Sequence, residues 1–445
     1  MHHFCLYATY TFSMLSTPPP ATAPVLHHRF AATFPELAFP CVPETAPEPE
    51  LIALNEPLAL ELGFSPTWLR SEEGIQFMLG QQAEGAVAQA YAGHQFGYLS
   101  PILGDGRACL LGEVTDIKGV QHDLHLKGSG RTRFARSGDG RAALGPMLRE
   151  FLVSNFLHAV NIPTTRSLAI LTTGHKVQRN YVHPAAVLVR VASSHLRIGT
   201  FQYAALHHPG SDLIERLIEY SIQLHYPSTA AEPLAFLEAV MDAQAHTVAH
   251  WMGIGFVHGV INTDNTTISG QTIDFGPCAF LEQHDPHACF SSIDTTGRYK
   301  YGNQPGIIGW NLQRLAETLL PLIDAAGIPN SKVYELFDTY PNKFMNAYRQ
   351  VIEEKLEGAL PHNFHISGDH TAYFQEIAPM NNPVIIPRNH LVEAALQQAD
   401  DGNTEPFCAL YAALSTPYDF PLQHPEFVHS APKGFMDNYR TFCGT

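Results

Sequence analysis

HGVINTDNTTISGQTIDFGP, residues 258–277, is the stretch on which the reading of this chain turns. Asp264 and Asn265 stand side by side, and nine residues beyond Asn265 comes the tripeptide Asp274-Phe275-Gly276. A hard cation such as Mg2+ prefers oxygen ligands, so the Asn265 amide and the Asp274 carboxylate form a pair suited to a metal-bound polyphosphate. Asp264, one position before the amide, is then a carboxylate within reach of an acceptor hydroxyl or a metal-bound water. A chance loop with Asp-Phe-Gly in a turn is the competing reading.

Kinase-like enzymes carry a catalytic loop H-x-D-x-x-x-x-N, whose Asp is the base and whose Asn binds metal, followed by a D-F-G segment with the second metal ligand. Aligned on His258, the loop's Asn falls on Asn265 and its Asp falls on Val260. Valine accepts no proton, and Asp264 is the nearest replacement.

Upstream, the same order continues. The run QHDLHLKGSG reads as a strand ending at Lys127, and GRAALGPMLREFLVSNFLHAVNI (residues 140–162) as a helix carrying Glu150. In a kinase-like lobe a strand lysine grips the nucleotide phosphates and is oriented by a glutamate on the following helix. Between them lies KGSGRTRFARSGDGRAALGPMLR, residues 127–149, with six bases (Lys127, Arg131, Arg133, Arg136, Arg141, Arg149) where the chain average would place about one. Interleaved glycines let backbone amides approach a phosphate while guanidinium groups neutralise it; a solvated basic loop is the alternative. His246 and His250, one helical turn apart, lack an evident third metal ligand and read as an exposed or capped pair.

Around this centre LGDGRACLLGEVTD and QHDLHLKGSG read as neighbouring strands, with TTRSLAILTT and AAVLVRVAS as two more. Leu51 to Arg70 reads as two short helices interrupted by Pro57 and Pro66. Beyond Ser193 the patterns are helical, as in SDLIERLIEYSIQL, LAFLEAVMDAQAHTVAHWMG, WNLQRLAETLLPLI and NHLVEAALQQA. The expected fold class is α+β: a protein-kinase-like, two-lobed fold with a small mixed α/β N-lobe and a larger, mainly helical C-lobe. Residues 1–27 are expected to be disordered or extended, 28–195 to form the N-lobe with an N-terminal helical extension, and 196–445 the C-lobe with catalytic loop, DFG segment and tail.

Over 445 residues, 45% hydrophobic and 10% aromatic composition supplies a sizeable core and excludes a disordered chain. A net charge of -16 disfavours wrapping DNA or RNA over a broad surface, so any phosphate site is local. Seven cysteines without a CxxC or a regular spacing indicate neither a zinc ribbon nor a disulfide framework. No apolar run approaches the ~18 residues needed to span a bilayer, and no membrane partner is expected. The cytoplasm is the simplest home, with the mitochondrion a lesser alternative on the acid-free N-terminus.

AYAGHQFG, LGDGR, HLKGSG, SGDGRAAL, NIPTTRSLA, VLVRVASSHLRIGTF, GVINTDN, DFGP and NQPGIIGWNLQRLAETL together resemble the selenoprotein O (SelO, YdiU) family of kinase-like protein adenylyltransferases, from about Leu54 to the C-terminal tail. The resemblance implies a pseudokinase fold that binds ATP in a flipped orientation and transfers AMP to Ser, Thr or Tyr hydroxyls of other proteins. Matched motif by motif, it implies that Gly104, Gly106, Arg107, Lys127, Asp139, Gly140, Arg190, Arg197 and Asp274 contact ATP. It likewise implies Asp264 as proton acceptor and Asn265 and Asp274 as ligands of Mg2+, with Mn2+ as a substitute. Adenylyl transfer moves the reacting centre to the α-phosphorus, which accommodates the absent Asp at Val260. The family's redox-active C-terminal Cys or selenocysteine falls on Cys443, with Cys289 its implied partner in a disulfide switch.

The chain departs from the family at Thr132 to Arg136 and at Gly145-Pro146, which bears on the phosphate loop and the Lys127 to Glu150 pairing. Two other functions stay open: a kinase that uses Asp264 as base, and a non-catalytic ATP-binding scaffold. The acceptor proteins and the oligomeric state are not assigned by the sequence.

Overall fold

The computed structural model describes residues 23–442; the N-terminal residues before it, and Cys443 with its implied link to Cys289, lie outside the described residues. Ten strands precede residue 193: β1 (Ala38–Pro40), β2 (Glu50–Leu54), β3 (Val87–Gln89), β4 (Gly93–Gln95), β5 (Tyr98–Ser100), β6 (Ala108–Thr115), β7 (Gln121–Lys127), β8 (Ala142–Ala143), β9 (Arg166–Gln178) and β10 (Val182–Ala192). Eight of them make one antiparallel sheet in the order β1-β3-β6-β7-β10-β9-β2, with β8 pairing β10, while β4 and β5 form a separate hairpin.

The period-2 alternation of a strand sorts the residues of β7 and β10 onto two faces. Leu124, Leu126, Val187, Val189 and Val191 pack with Leu58, Trp68, Leu69 and Met78 in one apolar cluster. Ala186 and Leu188 join the other cluster, with Leu148, Phe151 and Leu152 of the Leu144–Ala159 helix. Register pairs Lys127 with Leu188 and His125 with Arg190, so Lys127 and Arg190 share the face that carries that helix. Burying each of those Leu or Phe side chains is worth about 1.5–3 kcal/mol.

Leu51 to Arg70 does not form only two helices broken by proline. Its first residues pair with β9 as β2, and the helices Glu56–Glu61 and Pro66–Leu69 carry their prolines at the start, Pro57 as second residue and Pro66 as first. Proline is tolerated there because the first amides of a helix have no internal partner. The Leu144–Ala159 helix starts at the first residue of its apolar pattern and not later, and takes Pro146 as its third residue, still within the first turn, for the same reason.

From Ile198 on, the regular elements of the described residues are helices apart from β11 (Phe256–Val257) and β12 (Ala279–Phe280). The 22-residue helix Pro233–Ile254 ends at Gly255 in a left-handed conformation, φ 73°. The antiparallel β11–β12 pair then brackets residues 258–278, and Gln304 Nε2 holds this turn by donating to the Phe256 carbonyl at 2.9 Å. No helix of the described residues is long and apolar enough to cross a membrane.

The cysteines depart from the expectation of no disulfide framework: Cys41, just beyond β1, is bonded to Cys109 of β6. Strand order explains it, since β3 lies between β1 and β6 and brings their flanks together. Cys289 is a free thiol whose Sγ meets Asp294 Oδ2 at 3.4 Å, and burial pushes it up to about 11.

Candidate active site

All the side chains and glycines to which the sequence assigns a site role line one cleft of about 480 Å3: Gly104, Gly106, Arg107, Lys127, Asp139, Gly140, Arg190, Arg197, Asp264, Asn265 and Asp274. At its floor, Lys127 Nζ donates to Glu150 Oε2 at 2.6 Å and to Asp274 Oδ1 at 2.5 Å. Arg190 donates through Nε to Glu150 Oε1 at 3.0 Å and through Nη2 to Asp274 Oδ1 at 2.7 Å. Arg197 Nη1 reaches Asp274 Oδ2 at 3.3 Å and the Asp264 carbonyl at 2.8 Å. Although burial favours the neutral acid, Lys127, Arg190 and Arg197 hold the Asp274 carboxyl well below the usual carboxylate range. Glu150 is likewise lowered against burial by Arg190 and Lys127. Asp274 adopts φ 66°, the left-handed region that Asp tolerates better than most residues, and this turns its carboxylate toward three cations at once.

Asp264 lies in the 3-10 turn Thr263–Asn265 and is buried. Gln95 Nε2 donates to its Oδ2 at 3.0 Å, while Oδ1 is buried without a hydrogen-bond partner. Burial outweighs that bond and raises the carboxyl to about 6. Asn265 donates through Nδ2 to the Val260 carbonyl at 2.9 Å, which commits the nitrogen of its amide and leaves the oxygen as the group for a ligand. His258 is buried and donates through Nε2 to the Ile273 carbonyl at 2.9 Å, fastening the two ends of the loop.

Two glycines of the upper wall are there for space. A Cβ on Gly104, φ 66°, would meet the Phe134 ring at 2.3 Å, and one on Gly140, φ 74°, would meet the Gly130 backbone at 2.2 Å. Asp139 sits beside Gly140 but is clamped by Arg179, whose Nη1 and Nη2 each donate to it at 3.0 Å.

The basic segment does not act as a unit. Lys127, Arg136 and Arg141 line the cleft, but Arg133 lies over the Phe39 ring at 4.0 Å and Arg149 is buried against Glu393 at 2.6 Å. Arg107, Arg179, Arg190 and Arg197 complete the positive lining from other elements. His246 and His250 pack ring to ring at 4.4 Å, and no group of His, Cys, Asp or Glu able to hold a metal forms among the described residues. The oxygens of Asn265 and Asp274 nevertheless suit a hard divalent cation, and the unpartnered Asp264 Oδ1 beside them is a buried polar atom still lacking a partner.

Gln95, Asn262 and Tyr299 carry no sequence assignment, yet they frame Asp264. Tyr299 donates to Asn262 Oδ1 at 2.5 Å, and Asn262 sits two residues before Asp264. The available signal was the glycine pair Gly93 and Gly97 around Gln95, which marks a close backbone approach.

Residues 26–361 match the family model described as protein adenylyltransferase SelO. The protein nucleotidyltransferase YdiU of Corynebacterium efficiens is 46% identical over 96% of this chain and 98% of its own length. The proteins of the same name from Pseudarthrobacter chlorophenolicus and Mycolicibacterium smegmatis are 47% and 46% identical, over 94% and 95% of this chain and 97% and 99% of their own. The chain belongs to the SelO family of protein adenylyltransferases.

Proposed function

We propose that this chain transfers AMP from ATP to the hydroxyl of a Ser, Thr or Tyr on another protein, with pyrophosphate leaving. The observation that carries the reading is the buried, unpartnered Asp264 Oδ1 in the same cleft as a cluster of Lys127, Arg190 and Arg197. The three cations attract the phosphates, and backbone at Gly104, Gly106 and Gly140 permits close approach, with Arg107 and Asp139 at the rim. The Asp264 carboxylate takes the proton as the acceptor oxygen bonds to the α-phosphorus and the bond to the pyrophosphate oxygen breaks. A base near 6 is ionised at neutral pH and still has some basicity, as general-base catalysis requires. Asn265 and Asp274 would hold a divalent cation, Mg2+ or Mn2+, which when bound offsets phosphate charge. Most of the rate enhancement then comes from positioning and charge neutralisation.

The same reading takes the eight-stranded sheet and the β4–β5 hairpin as the N-lobe and the helices after residue 195 as the C-lobe of a kinase-like pair. The Lys127 to Glu150 ion pair and the loop after β11 support it. A cytoplasmic site of action fits the proposed use of ATP.

The test is incubation with an acceptor protein, Mg2+ and ATP labelled at the α- or the γ-phosphate. Label retained from α-labelled ATP only, and lost in Asp264→Asn, is the expected result. Retention from γ-labelled ATP only would replace this reading with a kinase. No label from either, with binding intact, would leave an ATP-binding scaffold.

A further inference from the structure

Three consecutive residues of the β4–β5 hairpin grip three residues of the loop that carries Asp264. The His94 amide donates to Thr263 Oγ1 at 2.7 Å, Gln95 Nε2 to Asp264 Oδ2 at 3.0 Å, and the Phe96 amide to Asn262 Oδ1 at 3.3 Å and the Tyr299 hydroxyl at 3.0 Å. Thr263 in turn donates to Gln202, whose amide donates to His94 Nδ1 at 2.8 Å. Phe96, at φ 53°, makes the turn that presents all three donors to one loop.

We propose that Gln95 is a positioning residue for the transfer reaction: its amide holds Oδ2 of Asp264 and so fixes the plane of the carboxylate that takes the proton of the acceptor hydroxyl. The inference rests on the adenylyl-transfer reading above. A carboxylate with one oxygen free to rotate presents either oxygen in a range of directions, and misplacement by about 1 Å is enough to cost a large factor in rate. The two flanking anchors are made by backbone amides, so replacing the Gln95 side chain leaves the hairpin tied to the loop.

The test compares Gln95→Leu and Gln95→Glu with the unaltered chain, reading AMP transfer from α-labelled ATP and ATP binding by calorimetry. Leu is expected to lower kcat roughly 10- to 100-fold with KM and Kd for ATP within about twofold, the loss of one hydrogen bond to a charged group. Glu keeps the length but at neutral pH has no hydrogen to donate, so it should do no better than Leu. In an Asp264→Asn background, Gln95→Leu should lower any residual rate no further. A kcat within about twofold of the unaltered chain for either variant, or a parallel rise in KM for ATP, would overturn the proposal. If the unaltered chain transfers no label, the adenylyl-transfer reading itself has failed. A crystal structure of Gln95→Leu then decides: an Asp264 carboxylate turned from its present direction upholds the positioning role, and an unmoved one refutes it.

Discussion

At Gly93 a hydrogen stands where any other residue would carry a carbon, and a carbon there would lie 2.5 Å from Asp264 Oδ1. Gly93→Ala is therefore expected to displace the Asp264 carboxylate at a stability cost of about 1–3 kcal/mol. AMP transfer should fall at least ~10-fold while a thermal melt still shows a folded chain; an unchanged rate would mean that Asp264 tolerates displacement. At this scale the sequence was legible where a residue type has few jobs. Asp264, Asn265, Asp274, Lys127 and Glu150 stand out because their spacing follows a chemical order. Gln95 does not, since a glutamine between glycines has no distinctive chemistry until the carboxylate opposite it is known. Arg149 misleads for the opposite reason, as a base in a basic run that leaves it for Glu393, 244 positions along the chain.

Elements with a clean period were legible, and those set by distant neighbours were not. The AAVLVRVAS strand, found in β10, and the apolar stripe of the Leu144–Ala159 helix survive as read. Helix Ser331–Leu356 is 26 residues long with Pro341 inside it, and proline is a signal that normally ends a helix. The Cys41–Cys109 bond was equally hidden, because it depends on β3 lying between β1 and β6. The bond closes a span of 68 residues, so loop-closure entropy assigns it about 4 kcal/mol. Under oxidising conditions Cys41→Ser should unfold at lower denaturant than the unaltered chain by that order. With a thiol reductant present the two curves should converge, and a difference that persists in reductant would assign the effect to packing rather than to the bond.

Across the whole molecule the 25 histidines matter more for stability than for chemistry. Burial lowers His158, His225, His250 and His258 to about 4 and His370 to about 3. Between those values and the unfolded 6.5 the unfolded chain binds more protons than the folded one, so stability rises with pH across that window. It is present above about pH 6.5 and lost as the pH falls toward 4. Asp264, raised to about 6, works in the other direction, as do Asp123 and Glu282, whose carboxyls burial also raises; against these three stand the five histidines above and His94, His125, His195, His284 and His390, all lowered by burial as well. Thermal melts should therefore show a marked fall in Tm from pH 7 to pH 5, on the order of several kcal/mol in sum. A flat profile over that range would mean that these imidazoles are not held neutral.

The grip of Lys127, Arg190 and Arg197 on Asp274 bears on how the cleft fills. Three like charges facing one another in a partly dry pocket would repel strongly, and Asp274 and Glu150 are the resident counter-ions that spare the protein that state. On the proposed adenylyl-transfer reading, a polyphosphate would arrive by anion exchange, taking over the guanidinium and ammonium groups and freeing the aspartate oxygens for other duty. On its departure the aspartate would return, and the cleft would alternate between two neutralised states.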